Sequence, residues 1–533
     1  MHLYAGLAAW GVAAFIIYKL INLVVEKRQL AAKARQTGAQ VAVSYPIAGF
    51  GGLTHLNQLM QADKDQLFPD LMIRRERVMS ELYGREVSTF KSYIMFQDIH
   101  FTSDPRNIQA MLATQFGDFD LGPARSGNMG QTLGSGIFTQ DGKPWEHSRA
   151  LLRPNFVRDQ VSDLELEERH VQDLFKVMPI QADGWTSETN IQQLFFRLTI
   201  DSATEFLFGE SVDSQLSEAG LGNEKSEAQR SRETSFSRNF DGAQAHLAKR
   251  FRLGDLYWLH NPREFKDNNK NIQSFIDHYV NLALRKSAGG EKLAEEGNHK
   301  QRYVFLEELA SRTRDPVELR AQLLNILLAG RDTTASLLSW LFHQLLRNPE
   351  VFQKLRAAII ADFGTYSDPR DITFSTLKGC TYLQHCLNET LRLWTVVPGN
   401  SRRANKITTL PKGGGPDGES PVLIPANAEV NYSIHVMHRR KDLWGPDADE
   451  FKPERFVGRK PGWEFLPFNG GPRICIGQQF ALTEASYVVV RLLQRFDAIE
   501  AAEGQFEKVV RSNLTLTSCP ANPVTLKLRE AKE

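Results

Sequence analysis

Apolar residues run almost unbroken from Leu3 to Val25, interrupted by Lys19 and Asn22. That is about the length a helix needs to span a bilayer. The start is uncharged and Lys27, Arg28, Lys33 and Arg35 follow the run, which is the wrong order for a cleaved signal peptide. The pattern predicts an uncleaved single-pass anchor over residues 1–30. By the positive-inside tendency, residues 31–533 stay on the cytosolic side, most plainly of the endoplasmic reticulum. Further on, Thr89–Phe101 carries β-type runs and Ser103-Asp104-Pro105 resembles a helix start. Phe116–Ser135, rich in Gly and aromatics without a period, predicts a loop over a pocket. Asp141-Gly142 then turns the chain into a helix opening near Trp145. The longest pattern begins at Asp315-Pro316, an N-cap with proline at the first helical position, and stops at Asn348-Pro349. Its roughly thirty residues make about 45 Å of helix, enough to cross a whole domain. Gln478–Arg495 carries a second good helix pattern. The polar stretches Glu210–Ser237 and Ser287–Lys300 predict exposed loops. Phe251–His260 is aromatic-rich and fits either a membrane-side substrate entrance or ordinary core packing. Leu514–Thr517 alternates like a strand and predicts a hairpin whose tip faces substrate. The sum is a mainly α fold with small β-sheets.

Composition narrows the picture in two ways. The 533 residues are 41% hydrophobic and 24% charged, with no Pro/Ser/Gly-rich linker after the first few dozen, so one large domain follows the anchor. A net charge of +1 gives no argument for nucleic acid as a partner. The four cysteines do not form a disulfide pattern in so long a chain, and a reducing compartment fits them best. Cys380 and Cys386 have no Cys/His cluster around them to make a zinc site.

Candidate chemistry gathers at Cys475, which stands in a glycine-rich bend just before the Gln478–Arg495 helix. Orphan N–H groups and the helix dipole favour a negative sulfur there. Gly470 and Gly471 permit a tight turn, and Gly477 leaves room for something flat to lie against the helix start. Arg473 supplies a fixed cation and Phe468 an aromatic wall. A thiolate, a cation and an apolar wall suit haem iron with its propionates. Trp145 and Arg149, four apart, share a helical face and can both reach one carboxylate. Within the long helix, Ala329 and Thr333 share a face with Ile326, and small Ala329 and Gly330 let a ligand approach. A hydroxyl at Thr333 beside the acid Asp332 can deliver the protons that dioxygen cleavage requires. Glu389 and Arg392, three apart, make a compact ion pair.

Taken together, Phe468-x-x-Gly471-x-Arg473-x-Cys475-x-Gly477, Ala329-Gly330-Arg331-Asp332-Thr333-Thr334 and Glu389-x-x-Arg392 followed by Pro453-Glu454-Arg455-Phe456 resemble the cytochrome P-450 superfamily. The resemblance implies the P-450 fold behind a transmembrane helix and a haem b whose iron is held by the Cys475 thiolate. It implies cofactor-binding roles for Phe468, Arg473 and Gly477, and propionate contacts from Trp145, Arg149 and Arg402, with Arg403 a close competitor. Asp332 and Thr333 would activate oxygen; Glu389, Arg392 and Arg455 would brace the haem loop. Some fatty-acid hydroxylases of the superfamily have a haem-esterifying Glu where Ala329 stands, so no covalent link is expected here. Leu133–Phe138, Thr409–Gly415 and Gly477–Ala485 look like the fungal microsomal branch that hydroxylates n-alkanes and fatty acids. That branch implies oxidation of an apolar substrate at or near a chain end. The alternative is a tailoring oxygenase in a fungal polyketide, terpenoid or lipopeptide pathway. Too little chain follows Cys475 for a fused flavin domain. Electrons are therefore expected from a separate NADPH–cytochrome P-450 reductase, with cytochrome b5 as an additional donor and membrane lipid as a further partner.

Overall fold

The start signal at Asp315 is used as the sequence predicts: its carboxylate accepts a hydrogen bond from the Val317 N–H at 2.9 Å, and a helix runs Pro316–Arg347. The computed structural model describes residues 2–46, 49–156, 164–221, 227–289, 303–506 and 509–532. In it, this central helix is packed on both sides. On one side it meets helices Ile191–Phe208, Thr381–Leu393 and Gln478–Arg495. Leu338, Leu341, Phe342 and Leu345 of the central helix interdigitate there with Phe195, Leu387 and Val489, all buried. On the other side Leu319, Leu323 and Leu327 pack with Phe240 and Ile276 from helices Glu227–Arg252 and Arg263–Gly289. Burying each such side chain stabilises the fold by about 1.5–3 kcal/mol, so the central helix is fixed by its flanks rather than by propensity.

The β structure is minor. Thr89–Ile94 pairs antiparallel with Gln97–Thr102, which runs parallel to Glu429–Ser433. Gly399–Ala404 and then Phe119–Asp120 complete a five-stranded sheet. Near the C-terminus Ser512–Leu514 and Ser518–Pro520 form the expected hairpin, but of the Leu514–Thr517 stretch read as a strand only Leu514 lies in one, and residues 515–517 make the turn. The Trp340 indole N–H donates to Ser518 O at 2.9 Å, and its ring stacks on Trp394 at 4.2 Å. Those contacts set the hairpin tip against the central helix.

Three expectations change. Phe116–Ser135 is not a loop, since Pro123–Leu133 is helical with proline in its first turn. Its helix is Gly-rich and buries only Asn128, Met129, Thr132 and Leu133, so no hydrophobic period was visible. Glu210–Ser237 contains a short helix, Ser214–Glu218, and from Glu227 the start of a long one. The apolar ridge of that long helix, Phe236, Phe240, Ala243 and Leu247, begins only at the end of the polar stretch. Of the expected loop Ser287–Lys300, residues up to Gly289 are helical and 290–300 lie outside the described residues.

The N-terminal helix is longer than a span, running His2–Thr37. Side chains 2, 3, 5–9 and 12 lie outside the described residues, and with them part of the expected Leu3–Val25 run. Among the described residues no helix is long and apolar enough to cross a membrane; what remains of this one carries Lys19, Asn22, Glu26, Lys27 and Arg28. The expectation of a spanning anchor is to that extent not met.

Candidate active site

The cysteine bend is built by its own backbone. Cys475 N–H donates to Phe468 O at 3.0 Å, and Ile474 N–H to Gly471 O at 3.0 Å. Gly471 has φ 67, and a Cβ there would stand 1.8 Å from Leu112 O, so only glycine fits. At Gly477 the nearest protein atom to an added Cβ is 3.7 Å away on Phe156. The protein itself therefore does not require that glycine, in keeping with room left for a ligand. Phe468 packs half-buried against the main core. Burial pushes the Cys475 thiol up, opposed by the Gly477 N–H and the Arg149 charge, which both favour the thiolate. Yet the side chain retains open surface. A group desolvated by its surroundings and still accessible faces an interior space, where a metal cation would deprotonate it outright.

Around that space the structure assembles cations. The Trp145 ring, buried, lies 4.3 Å from the Arg473 guanidinium and 5.9 Å from that of Arg149. Burial lowers the Arg149 pKa, and Cys475 is the neighbour that supports its charge. Arg473 donates to Asp141 at 2.7 Å and to Gln140 O at 3.0 Å, so part of its charge is already matched. Burial still brings its pKa down to about 10. Arg402 is fully buried with its Nε unpartnered and only Ser401 O, 2.8 Å away, accepting from Nη1. Its competitor Arg403 is claimed elsewhere, by Asp255 at 2.8 Å and Glu429 at 3.4 Å. Of the two, Arg402 is the one left without an anion among the described residues.

Sequence reasoning missed Arg125. It sits in the first turn of Pro123–Leu133, inside the stretch read as a loop, and donates to Asn400 Oδ1 at 2.6 Å. Burial and the neighbouring Arg402 bring its pKa to about 10. Among the described residues no carboxylate lies within ion-pair distance of Arg125, Arg149 or Arg402. Arg402 is buried and Arg125 and Arg149 are half-buried; clustering such cations without anions is costly, and a cofactor bearing carboxylates is what would balance them. The residues present fit haem.

Across the central helix lies a cavity of about 470 Å³. Leu328, Ala329 and Thr333 line it, with the hairpin residues Leu514–Thr517 and Phe251. Of Phe251–His260, Phe251, Arg252 and Gly254 belong to the cavity lining, and Trp258 and Leu259 are exposed. Ile326 is not among the lining residues; it packs into the helical core instead, and Leu328 takes the place expected of it. The Thr333 hydroxyl donates to Ala329 O at 2.7 Å, and Thr333 lines the cavity. Asp332 points elsewhere. It is buried away from the cavity lining, its Oδ1 unpartnered and 3.4 Å from Arg331. Burial raises its carboxyl to about 6, with Arg331 pulling down and Asp241 pushing up. Arg331 in turn pairs with Asp241 of the Glu227–Arg252 helix. Glu389, Arg392 and Arg455 do meet in one buried network.

A cytochrome P450 family pattern matches residues 72–528. Cytochrome P450 monooxygenase g430 of Fusarium sp is 50% identical over 522 residues, 97% of this chain and 90% of the relative. Cytochrome P450 monooxygenase alt2 of Alternaria solani is 43% identical over 526 residues, 96% and 95% of the two chains. Cytochrome P450 52A5 of Candida maltosa is 46% identical over 492 residues, 91% and 90%.

Proposed function

The chain belongs to the cytochrome P450 family, and from that premise we propose that it hydroxylates linear aliphatic chains at or near their end. It is a haem-thiolate monooxygenase. In this reading the Cys475 thiolate would hold the haem iron, and Arg125, Arg149, Arg402 and Arg473, with Trp145, would hold the propionates. Bound haem supplies dioxygen activation and insertion of one oxygen atom into an unactivated C–H bond, the thiolate favouring O–O cleavage. The protein's own part is to orient and to handle protons. Thr333 Oγ1, steadied by Ala329 O, presents a hydroxyl at the cavity wall. Asp332, its carboxyl raised to about 6 by burial, neighbours Thr333 in the chain but is turned away from the cavity lining, so Thr333 is the hydroxyl that meets the cavity. The intact Asp332-Thr333 pair argues against an oxygen-independent isomerase.

The observation that carries the substrate class is the cavity itself, whose lining beside Thr333 is aliphatic and aromatic. Affinity there comes chiefly from buried hydrocarbon, at about 0.8 kcal/mol per CH₂. The resemblance to the fungal n-alkane and fatty-acid branch supports the same reading. Electrons come from a membrane-bound NADPH reductase. The N-terminal helix keeps the enzyme at the endoplasmic reticulum membrane: Trp10, Phe15, Ile17 and Ile21 are exposed, and among the described residues no other element covers them.

Reconstitution with reductase and a panel of linear chains, sterols and aromatic polyketides tests the proposal. Spin-state shifts that strengthen with chain length, and products oxidised near the terminus, are expected. Turnover confined to a polycyclic or polyketide compound would instead assign the chain to a tailoring pathway.

A further inference from the structure

Three arginines line the cavity, and two have their charge or place accounted for. Arg252 is held by Asp63 at 2.7 Å and by Leu514 O at 2.7 Å. Arg125 belongs to the cation cluster around the cofactor space. Arg75, on helix Phe68–Tyr83, is left over.

Its surroundings are unusual for a charge. Arg75 is 4% exposed, and its Nε has no partner. Nη2 reaches two neutral acceptors, Gln58 Oε1 at 3.2 Å and His55 O at a long 3.4 Å. One face of the guanidinium lies 5.2 Å from the Tyr45 ring. The carboxylates nearby in sequence are turned to other partners: Glu76 accepts from Ser103, with Arg440 as its main cationic neighbour, and the cations near Asp70 are Arg439 and Arg74. Beside it, His55 uses Nδ1 on Tyr93 O and leaves Nε2 unpartnered and buried. Arginine stays protonated in such a place, and a buried cation with no anion costs several kcal/mol.

The cavity runs from this site to the central helix. Lining residues come from Thr89–Ile94 next to Arg75, and from Gly399–Ala404 toward Thr333. These strands stand three steps apart in the sheet, or about 14 Å at the usual spacing. A long chain therefore has room for its head at one end and its tail at the other.

We infer that Arg75 is the anchor for a substrate carboxylate, so that the preferred substrate is a fatty acid rather than a plain alkane. This rests on the proposed reading of the cavity as a linear-chain site. The anion is received by the Arg75 guanidinium, which lines the cavity and is met there only by neutral acceptors among the described residues. The apolar tail lies along the cavity toward Ala329 and Thr333, which presents the far end of the chain for oxidation. An alkane of equal length fills the same space and leaves Arg75 unmatched.

The test compares dodecanoic acid, methyl dodecanoate and dodecane by optical titration of the haem-loaded, full-length protein, in wild type, Arg75→Gln and Arg75→Lys. The acid should bind wild type at least tenfold more tightly than its methyl ester, the scale of one charge-assisted hydrogen bond. That ratio should collapse toward one in Arg75→Gln and be partly kept in Arg75→Lys. Dodecane should be nearly indifferent to either change. Because the acid-to-ester ratio is taken within each variant, a loss of folded protein does not imitate the effect. An unchanged ratio in Arg75→Gln, or equal acid and ester affinities in wild type, would overturn the anchor while leaving the linear-chain reading standing. Failure of all three to bind wild type would remove both.

Discussion

Arg392 and Glu389 are joined twice, Nε to Oε2 at 2.7 Å and Nη2 to Oε1 at 2.8 Å, with neither side chain exposed at all. The same guanidinium donates to His438 O and Ala448 O at 2.7 Å and to Glu450 O at 3.1 Å. Arg455 approaches Glu389 at 3.4 Å. One planar fork thus pins three carbonyls of the segment leading to the cysteine bend. Lysine offers three donors around a point and cannot reproduce that. Arg392→Lys should lower unfolding stability by about 3–5 kcal/mol, read from a urea titration, and haem occupancy should fall with it. A midpoint unchanged from wild type would show that the pair is dispensable.

Cys475→Ala should lose the carbon monoxide difference band characteristic of thiolate-bound haem. The backbone bonds closing the bend do not involve sulfur, so the rest of the fold should survive, as circular dichroism would report. Persistence of the band in this variant would move the ligand elsewhere.

Asp332 makes stability depend on pH in a definite direction. Its carboxyl titrates near 3.8 when free and at about 6 in the fold. Below the lower value both forms hold the proton. Between the two the folded form alone keeps it, and the stabilisation is lost as pH rises through about 6. Asp332→Asn cannot titrate. Its stability relative to wild type should therefore improve from about pH 4 to about pH 6, by on the order of 3 kcal/mol, and stay level above. Parallel stability curves for the two proteins would refute the assignment.

Thr333→Ala removes the hydroxyl facing the cavity and the bond to Ala329 O. NADPH consumption should continue while product per NADPH falls several-fold, the balance appearing as hydrogen peroxide. Unaltered coupling would make the threonine a helix-bending residue only.

The exposed apolar helix predicts where the protein resides. Removal of residues 2–37 should release much of it from membranes in high-salt buffer. In intact microsomes, external protease should digest the remaining domain. Full protection would place the domain on the lumenal side.

How much of this was legible depended on where each signal resides. The central helix and Gln478–Arg495 were readable because their caps and apolar periods are local. Pro123–Leu133 was not, since its few buried positions are held by contacts such as Gln273 Nε2 to Gln131 O and Asn325 Nδ2 to Leu133 O, from distant segments. Arg402 and Arg403 could not be told apart by spacing either. Asp255, 148 residues away along the chain, and Glu429 pair with Arg403, whereas Arg402 has no anion among the described residues. Arg75 reads as one more charge on an amphipathic helix until the Leu53–Lys64 helix and Tyr45 fold over it. Which cations lack anions is a property of the assembled fold.

The Arg331–Asp241 pair carries one more consequence. Asp241 rides on the Glu227–Arg252 helix, whereas Arg331 and Asp332 are fixed in the central one. Asp241 raises the proton affinity of Asp332, and Arg331 lowers it. Any displacement that carries Asp241 outward takes away the negative neighbour and leaves Arg331 to Asp332 alone, so the acid ionises more readily. Returning the helix draws the proton back. Helix position and proton count are then conjugate quantities, and a change in either does work on the other.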